Sequence, residues 1–324
     1  MPRSRRTAAK LGHEEWPVTR ARPRSFFRAP LVNDLTQLKA DVAFLGVPYD
    51  QGTLQRPGAR YGPNAIRDVE RVYDYLDAWQ EKEAQGYFDI DAAATLLQGV
   101  TMADCGDVTI LPADVERNFD KITRAVRQLL DRRAFPVIVG GDHSITFPVV
   151  RAFDGHGPLD VVHLDAHQDF THSLQGVQFH HGCPIRRVRE LPFVGHITSL
   201  GIRWARKDVY EDALRLGVHT ITREQFAEKG AIQVAEELPT AERLYISLDI
   251  DVLDPACAPG TGAPAPGGLT YLEVRDFFRA LAKRSHVVGM DVVEVAPVYD
   301  SAQVTAYTAA KLIIDLLSAV FPPK

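Results

Sequence analysis

From Asp41 onward the chain alternates short runs of β-branched and aliphatic residues with longer stretches whose apolar positions recur every three or four residues. "DVAFLGVP" (41–48), "FPVIVGGDH" (135–143), "LDVVHLDAH" (159–167), "HITSLGIR" (196–203), "RLYISLDIDV" (243–252) and "HVVGMDVVEV" (286–295) read as strands. Over 116–134 the residues Phe119, Ile122, Val126, Leu129 and Leu130 fall on one helical face, and "TYLE" at 270–273 has the form of a capping box opening another helix. Strands alternating with amphipathic helices predict an α/β domain in which helices cover a mostly parallel sheet. No repeat, low-complexity segment or linker divides the chain after residue 40, so 41–324 is expected to be one domain. Pro and Gly cluster in "PACAPGTGAPAPGG" (255–268), which reads as a loop near a site.

Residues 1–40 read as an N-terminal arm. The stretch "MPRSRRTAAKLGHEEWPVTRARPRSFFRAP" is basic but lacks the apolar core of a secretory signal, and Glu14, Glu15 and Pro17 argue against a transit peptide. It is expected to lie on its own or a neighbouring subunit. Over 324 residues a net charge of −5 gives no overall attraction to nucleic acid or an anionic membrane. No apolar run approaches the roughly 20 residues of a membrane span. Three widely spaced cysteines, Cys105, Cys183 and Cys257, fit reduced thiols of a cytoplasmic protein and no CxxC site.

The polar residues cluster where the strands end. "GGDHS" (140–144) follows "FPVIV", "DAHQD" (165–169) follows "VVHL", "SLDIDVLDP" (247–255) follows "RLYI", and "DVVEVAP" (291–297) follows "HVVGM". In open parallel sheets ligands bind beyond the carboxyl ends of the strands. In extended chain Asp165, His167 and Asp169 would share a face, as would Asp249 and Asp251. With His143, one pocket would hold four carboxylates and two imidazoles. One such residue alone would ordinarily be hydrogen-bonded structure. Four carboxylates together need cations, because an unpaired buried charge costs several kcal/mol. Two divalent ions would balance them, and the nitrogen–oxygen mixture favours manganese, with nickel, cobalt or iron as alternatives, over calcium, magnesium or zinc.

Together "GGDHS", "DAHQD" and "SLDIDVLDP" resemble the ureohydrolase family of arginases and agmatinases, and "GVPYDQGTLQRPGARYGPNAIR" (46–67) looks agmatinase-like. The resemblance runs from there to the C-terminal helix. It implies a three-layer α/β/α sandwich, a binuclear manganese centre and hydrolysis of a guanidinium group to urea and an amine. By motif match His143, Asp165, His167, Asp169, Asp249 and Asp251 would be the metal ligands. A water shared by two such ions loses its proton near pH ~7, which supplies the nucleophile that a resonance-stabilised guanidinium demands. His181 in "FHHGCP" matches the family's proton-shuttling histidine, expected near its normal pKa, and Glu294 in "DVVEVAP" the carboxylate that grips the guanidinium. His180 is expected to face elsewhere, with an exchange of roles left open. Asp142 and Asp291 are expected to orient ligands by hydrogen bonding.

Departures from the family pattern bear on the substrate. Ala263 and Ala265 stand where many relatives carry the threonine and glutamate of a Thr-Pro-Glu, and Phe170 where threonine is common. Phe170 and Trp204 are therefore expected to add apolar surface to the substrate pocket, Trp204 by covering a cation or by packing at a helix start. Agmatine or a short guanidino acid is the family default, and guanidine or a biguanide such as metformin the alternative. The resemblance also implies a homo-oligomer, trimeric or hexameric. From another class comes a non-catalytic structural partner of an active paralogue, forming a hetero-oligomer. The intact ligand set, His181 and Glu294 speak against it. A dinucleotide site lacks the GxGxxG spacing.

Overall fold

A computed structural model of the chain describes residues 24–69 and 86–323. Residues 1–23, most of the expected arm, lie outside the described residues. Ten strands are described: β1 (Val42–Gly46), β2 (Tyr87–Asp89), β3 (Ala94–Leu96), β4 (Met102–Asp107), β5 (Phe135–Val139), β6 (Leu159–Leu164), β7 (Val194–Ile202), β8 (Val218–Thr222), β9 (Leu244–Asp249) and β10 (Val287–Val293). The helices are α1 (Gly62–Asp68), α2 (Val115–Asp131), α3 (Thr146–Arg151), α4 (Pro184–Arg189), α5 (Lys207–Arg215), α6 (Arg223–Lys229), α7 (Ala231–Glu237), α8 (Tyr271–Ala282) and α9 (Val304–Val320).

Eight strands form one sheet in the order β4-β1-β5-β10-β9-β6-β7-β8, every neighbouring pair parallel, while β2 and β3 make a separate antiparallel hairpin. Alternate strand residues feed two apolar layers, as the two-residue period of a strand requires. Val42 and Phe44 of β1 join Ile66 of α1, Phe277 of α8 and Ile313 of α9, whereas Ala43 and Leu45 join Phe119, Ile122 and Val126 of α2 and Val149 of α3. The result is the expected helix–sheet–helix sandwich. No helix among the described residues is long and apolar enough to cross a membrane.

All six expected strands are present, and Thr270 and Glu273 form the capping box that opens α8. Helix α2 stops three residues short of its expected end, where Arg133 turns into the left-handed region at φ 59°. Strand β4, "MADCGD", has no β-branched residue to announce it. Its Asp104 instead anchors a buried ion cluster. Arg67 donates from Nε and Nη2 to the two Asp104 oxygens at 2.9 and 3.0 Å and from Nη1 to Asp107 at 2.7 Å, while its guanidinium lies 4.1 Å from the Phe26 ring centre.

That cluster also gathers the chain before β1. The Phe26 N–H also donates to Asp104 at 3.0 Å, Val32 and Pro30 pair with the β4 backbone, and Phe26 and Phe27 pack on Phe44 with ring centres 5.4 and 5.3 Å away. The part of the expected arm from Ser25 to Leu38 is thus built into the body of the domain, because its two phenylalanines complete a core layer. Removing Arg67 would leave Asp104 buried and uncompensated. Arg67→Ala should lower the unfolding free energy by about 3–5 kcal/mol in denaturant titrations. A loss below ~1 kcal/mol would mean that the cluster does not hold this edge.

Candidate metal centre

Four adjacent strands at the middle of the sheet, β5, β10, β9 and β6, end at one rim, and each delivers part of the site. After β5 the chain turns through Gly141, where a Cβ would stand 1.6 Å from the Tyr49 carbonyl oxygen, so only glycine fits. Asp142 then caps the short turn His143–Ile145, accepting from the Ser144 N–H at 3.0 Å and its hydroxyl, and from the Gly52 N–H at 2.7 Å. Asp142 therefore orders the turn and the facing loop, not a ligand side chain directly. Asp291 reaches His143 through an intermediary. The hydroxyls of Ser247 and Thr146 donate to Asp291 at 2.7 and 2.9 Å, leaving the Ser247 oxygen to accept from His143 Nε2 at 3.0 Å. A neutral His143 then carries its proton on Nε2 and turns the bare Nδ1 lone pair into the site.

Around that Nδ1 one carboxylate oxygen each of Asp165, Asp169 and Asp249 stands at 3.1 Å. The other Asp165 oxygen lies 3.4 Å from His167 Nδ1, and Asp251 lies 3.0 Å from it. All six expected ligands are brought together, in two groups joined by Asp165. The backbone route differs from the extended one. Strand β6 ends at Leu164 and Asp169 takes φ 44°, while Asp251 sits in the helical turn Ile250–Val252 capped by Asp249. Convergence comes from tight turns after the strands, not from a continued pleat.

The residues present fit divalent ions. His143 Nδ1 is buried without a well-aligned hydrogen bond, although three acidic oxygens crowd it. Burial and the neighbouring Asp165 and Asp251 charges push Asp249 well above the usual carboxylate range, and burial with the Asp165 charge brings Asp251 up to about 6. Burial opposes the charged form of His167, but Asp251 and Asp165 outweigh it and raise that imidazole to about 12. Protons do the neutralising that cations would do better.

Glu294 lies beside this cluster at φ 62°, a strained position of the kind found at functional sites. One oxygen accepts from the His143 N–H at 3.0 Å and meets His181 Nδ1 at 3.1 Å; the other faces Gly262, where a Cβ would stand 3.5 Å away. Burial works against a charged His181, but Glu294 outweighs it and holds the ring up at about 9, above the near-normal value expected. The Leu54 N–H at 3.3 Å from Nε2 suits the neutral ring, yet it is long, and a carboxylate partner is the stronger. His180 does face elsewhere, with Nε2 2.9 Å from the Cys183 sulfur. Burial pushes His180 down and the Cys183 thiol up to about 11, which leaves an inert pair.

The rim corrects two expectations. Phe170 is fully buried in a core layer with the Arg186 guanidinium 5.3 Å from its ring centre, so it lines no substrate pocket. Ala265 is buried as well and its carbonyl is held by Arg203 at 2.7 Å. Gly262 is the loop residue that approaches Glu294. Trp204 is not packed at a helix start. It is 61% exposed, with its backbone bridged to His167. Sequence reasoning missed His163 and Ser247, each two residues before a predicted ligand on the same strand, where the same alternation pointed to them.

Residues 40–318 match the Arginase family. Proclavaminate amidinohydrolase from Streptomyces clavuligerus is 36% identical over 90% of this chain and 91% of its own length. Its solved structure covers 93% of this chain and 97% of its own with a TM-score of 0.77. Agmatinase from Bacillus anthracis is 36% identical over 86% of this chain and 91% of its own. Mitochondrial guanidino acid hydrolase from Homo sapiens is 34% identical over 86% and 78%.

Asp165→Ala and Asp249→Ala should each lose bound manganese by elemental analysis, and full occupancy in both would reject the ligand set. Because the imidazoles must shed protons to bind an ion and His167 is held up at about 12, loading should release protons and weaken steadily as pH falls from the alkaline side through neutrality. Calorimetry in buffers of different ionisation enthalpy measures this, and binding that tightens on acidification would contradict it.

Proposed function

The chain belongs to the arginase family, whose members are hydrolases of C–N bonds in amidines, and from that premise we propose that it releases urea and an amine from a guanidino compound. One observation carries the proposal. Glu294 presents a carboxylate with one oxygen that accepts from no donor among the described residues, next to the imidazole of His181 and against the backbone of His143. A guanidinium presents parallel N–H donors, and a carboxylate is their natural partner. Two manganese ions would be held by His143, Asp165, Asp169 and Asp249, and by Asp165, His167 and Asp251. Bound there, they supply a water acidic enough to lose its proton at neutral pH.

The chain's own residues do the rest. Glu294 orients the guanidinium carbon toward the ligand groups, and the guanidinium competes with His181 for the Glu294 carboxylate. As the guanidinium takes over the Glu294 oxygen, His181 loses the partner that holds its proton, and the ring becomes acidic enough to protonate the departing amine. Once the proton has left, the neutral ring can accept from the Leu54 N–H at Nε2.

The tail of the substrate meets Leu54 beside His181 and Trp204 beside His167, both exposed apolar side chains. Neither side chain offers a distal ammonium or carboxylate a hydrogen-bond acceptor or an opposite charge. Short or apolar-substituted guanidines, guanidine and metformin among them, are therefore proposed to compete well against agmatine.

His181→Ala should keep its ions and lose at least about a hundredfold in turnover. Unchanged turnover would move the proton to another donor. Urea release should be assayed over agmatine, arginine, guanidinobutyrate, guanidinopropionate, guanidine and metformin, each with manganese and with nickel. A strong preference for arginine would sink the proposed rim. No urea from any compound would point to a non-catalytic partner instead.

A further inference from the structure

His163 is fully buried on β6, two residues before Asp165, and hydrolysis as derived above gives this third imidazole no task. Its Nε2 stands 2.8 Å from Asp165 Oδ2 and its Nδ1 3.0 Å from the Ser199 hydroxyl on β7. Asp165 is the carboxylate that joins the two ligand groups. Its Oδ2 faces His143 at 3.1 Å and its Oδ1 faces His167 at 3.4 Å, so rotation of this one carboxylate would disturb both. Two donors oppose rotation: the His167 N–H on Oδ1 at 2.6 Å and His163 on Oδ2. The Asp165 carboxylate can only accept, which calls for the ring proton on Nε2 and leaves Nδ1 to accept from the Ser199 hydroxyl.

We propose that His163 is a positioning residue that fixes the Asp165 carboxylate between the two halves of the metal centre, with Ser199 setting its tautomer. This rests on the reading of Asp165 as the shared ligand. Buried without solvent contact, His163 has no access to substrate; it meets the site at Asp165, by hydrogen bond, and at His143, whose ring centre lies 5.1 Å from its own. Groups that hold a metal ligand in place are typically worth about 10–100-fold in metal affinity.

The test is a calorimetric titration of the metal-free full-length chain with manganese, comparing wild type, His163→Leu, His163→Gln and Ser199→Ala. Melting of each metal-free form reports whether it folds. Leucine fills the space without a donor, whereas the glutamine amide carries an N–H to the position of the imidazole Nε2. We expect two ions in the wild type, affinity about 10–100-fold weaker in His163→Leu, recovery of most of that loss in His163→Gln, and a smaller loss in Ser199→Ala. Wild-type affinity in His163→Leu would overturn the proposal. So would complete loss of one ion in both His163 variants, which would make His163 a ligand. Should the leucine variant not fold, unchanged affinity in Ser199→Ala overturns it. A wild type that binds no ions would reject the metal centre itself, a result distinct from two ions held equally well by every variant.

Discussion

Three carboxylates facing one buried imidazole nitrogen set the terms for everything around them. At distances near 3 Å, like charges cannot coexist in a protein interior without compensation, so the cluster must attract either protons or metal ions. The surroundings favour the second outcome. Asp291 and Ser247 commit the far side of His143 to a donor role, and backbone N–H groups of Ala166, His167 and Asp251 point at acidic oxygens from outside. Each device holds a ligand atom inward and keeps its basic face free.

The sheet order explains how so many groups reach one place. The chain lays down β5, crosses to β6, builds outward through β7 and β8, and only then returns to fill the gap with β9 and β10. Parallel strands end on the same side, so four neighbours offer four strand ends within a narrow arc. Ligands gather at this kind of reversal in strand order, where the loops on either side diverge and leave a crevice. Glu294 then comes from β10, between the strands that supply His143 and Asp249. Its place between those two strand ends follows from connectivity.

Much of this was legible from residue pattern. Apolar runs such as "FPVIV" and "RLYIS" announce buried strands, and the acids and histidines that follow them are too many for structure alone. What was hidden depends on partners far away in sequence. Phe170 follows Asp169 of the acidic cluster directly, but the left-handed turn at Asp169 sends its neighbour into the core. The tautomer of His143 is decided by Ser247 and Asp291, more than a hundred residues distant. Strand β4 was hidden because its composition serves the ion cluster with Arg67, and the packing of Phe26 and Phe27 because nothing local says which layer will lack two rings.

The late return of β9 and β10 has a consequence during synthesis. Until residues 244–293 emerge from the ribosome, β5 and β6 have no sheet neighbours on their facing sides, and two apolar edges stand open. The nascent chain at that stage carries His143 and the whole "DAHQD" cluster but lacks Asp249, Asp251 and Glu294. It is a half-sheet with half a site. Closing the gap is a long-range parallel pairing of the slow kind, and it seals the exposed edges and completes the acidic cluster in one event. The same two strands that close the sheet therefore bring Asp249, Asp251 and Glu294 to the cluster.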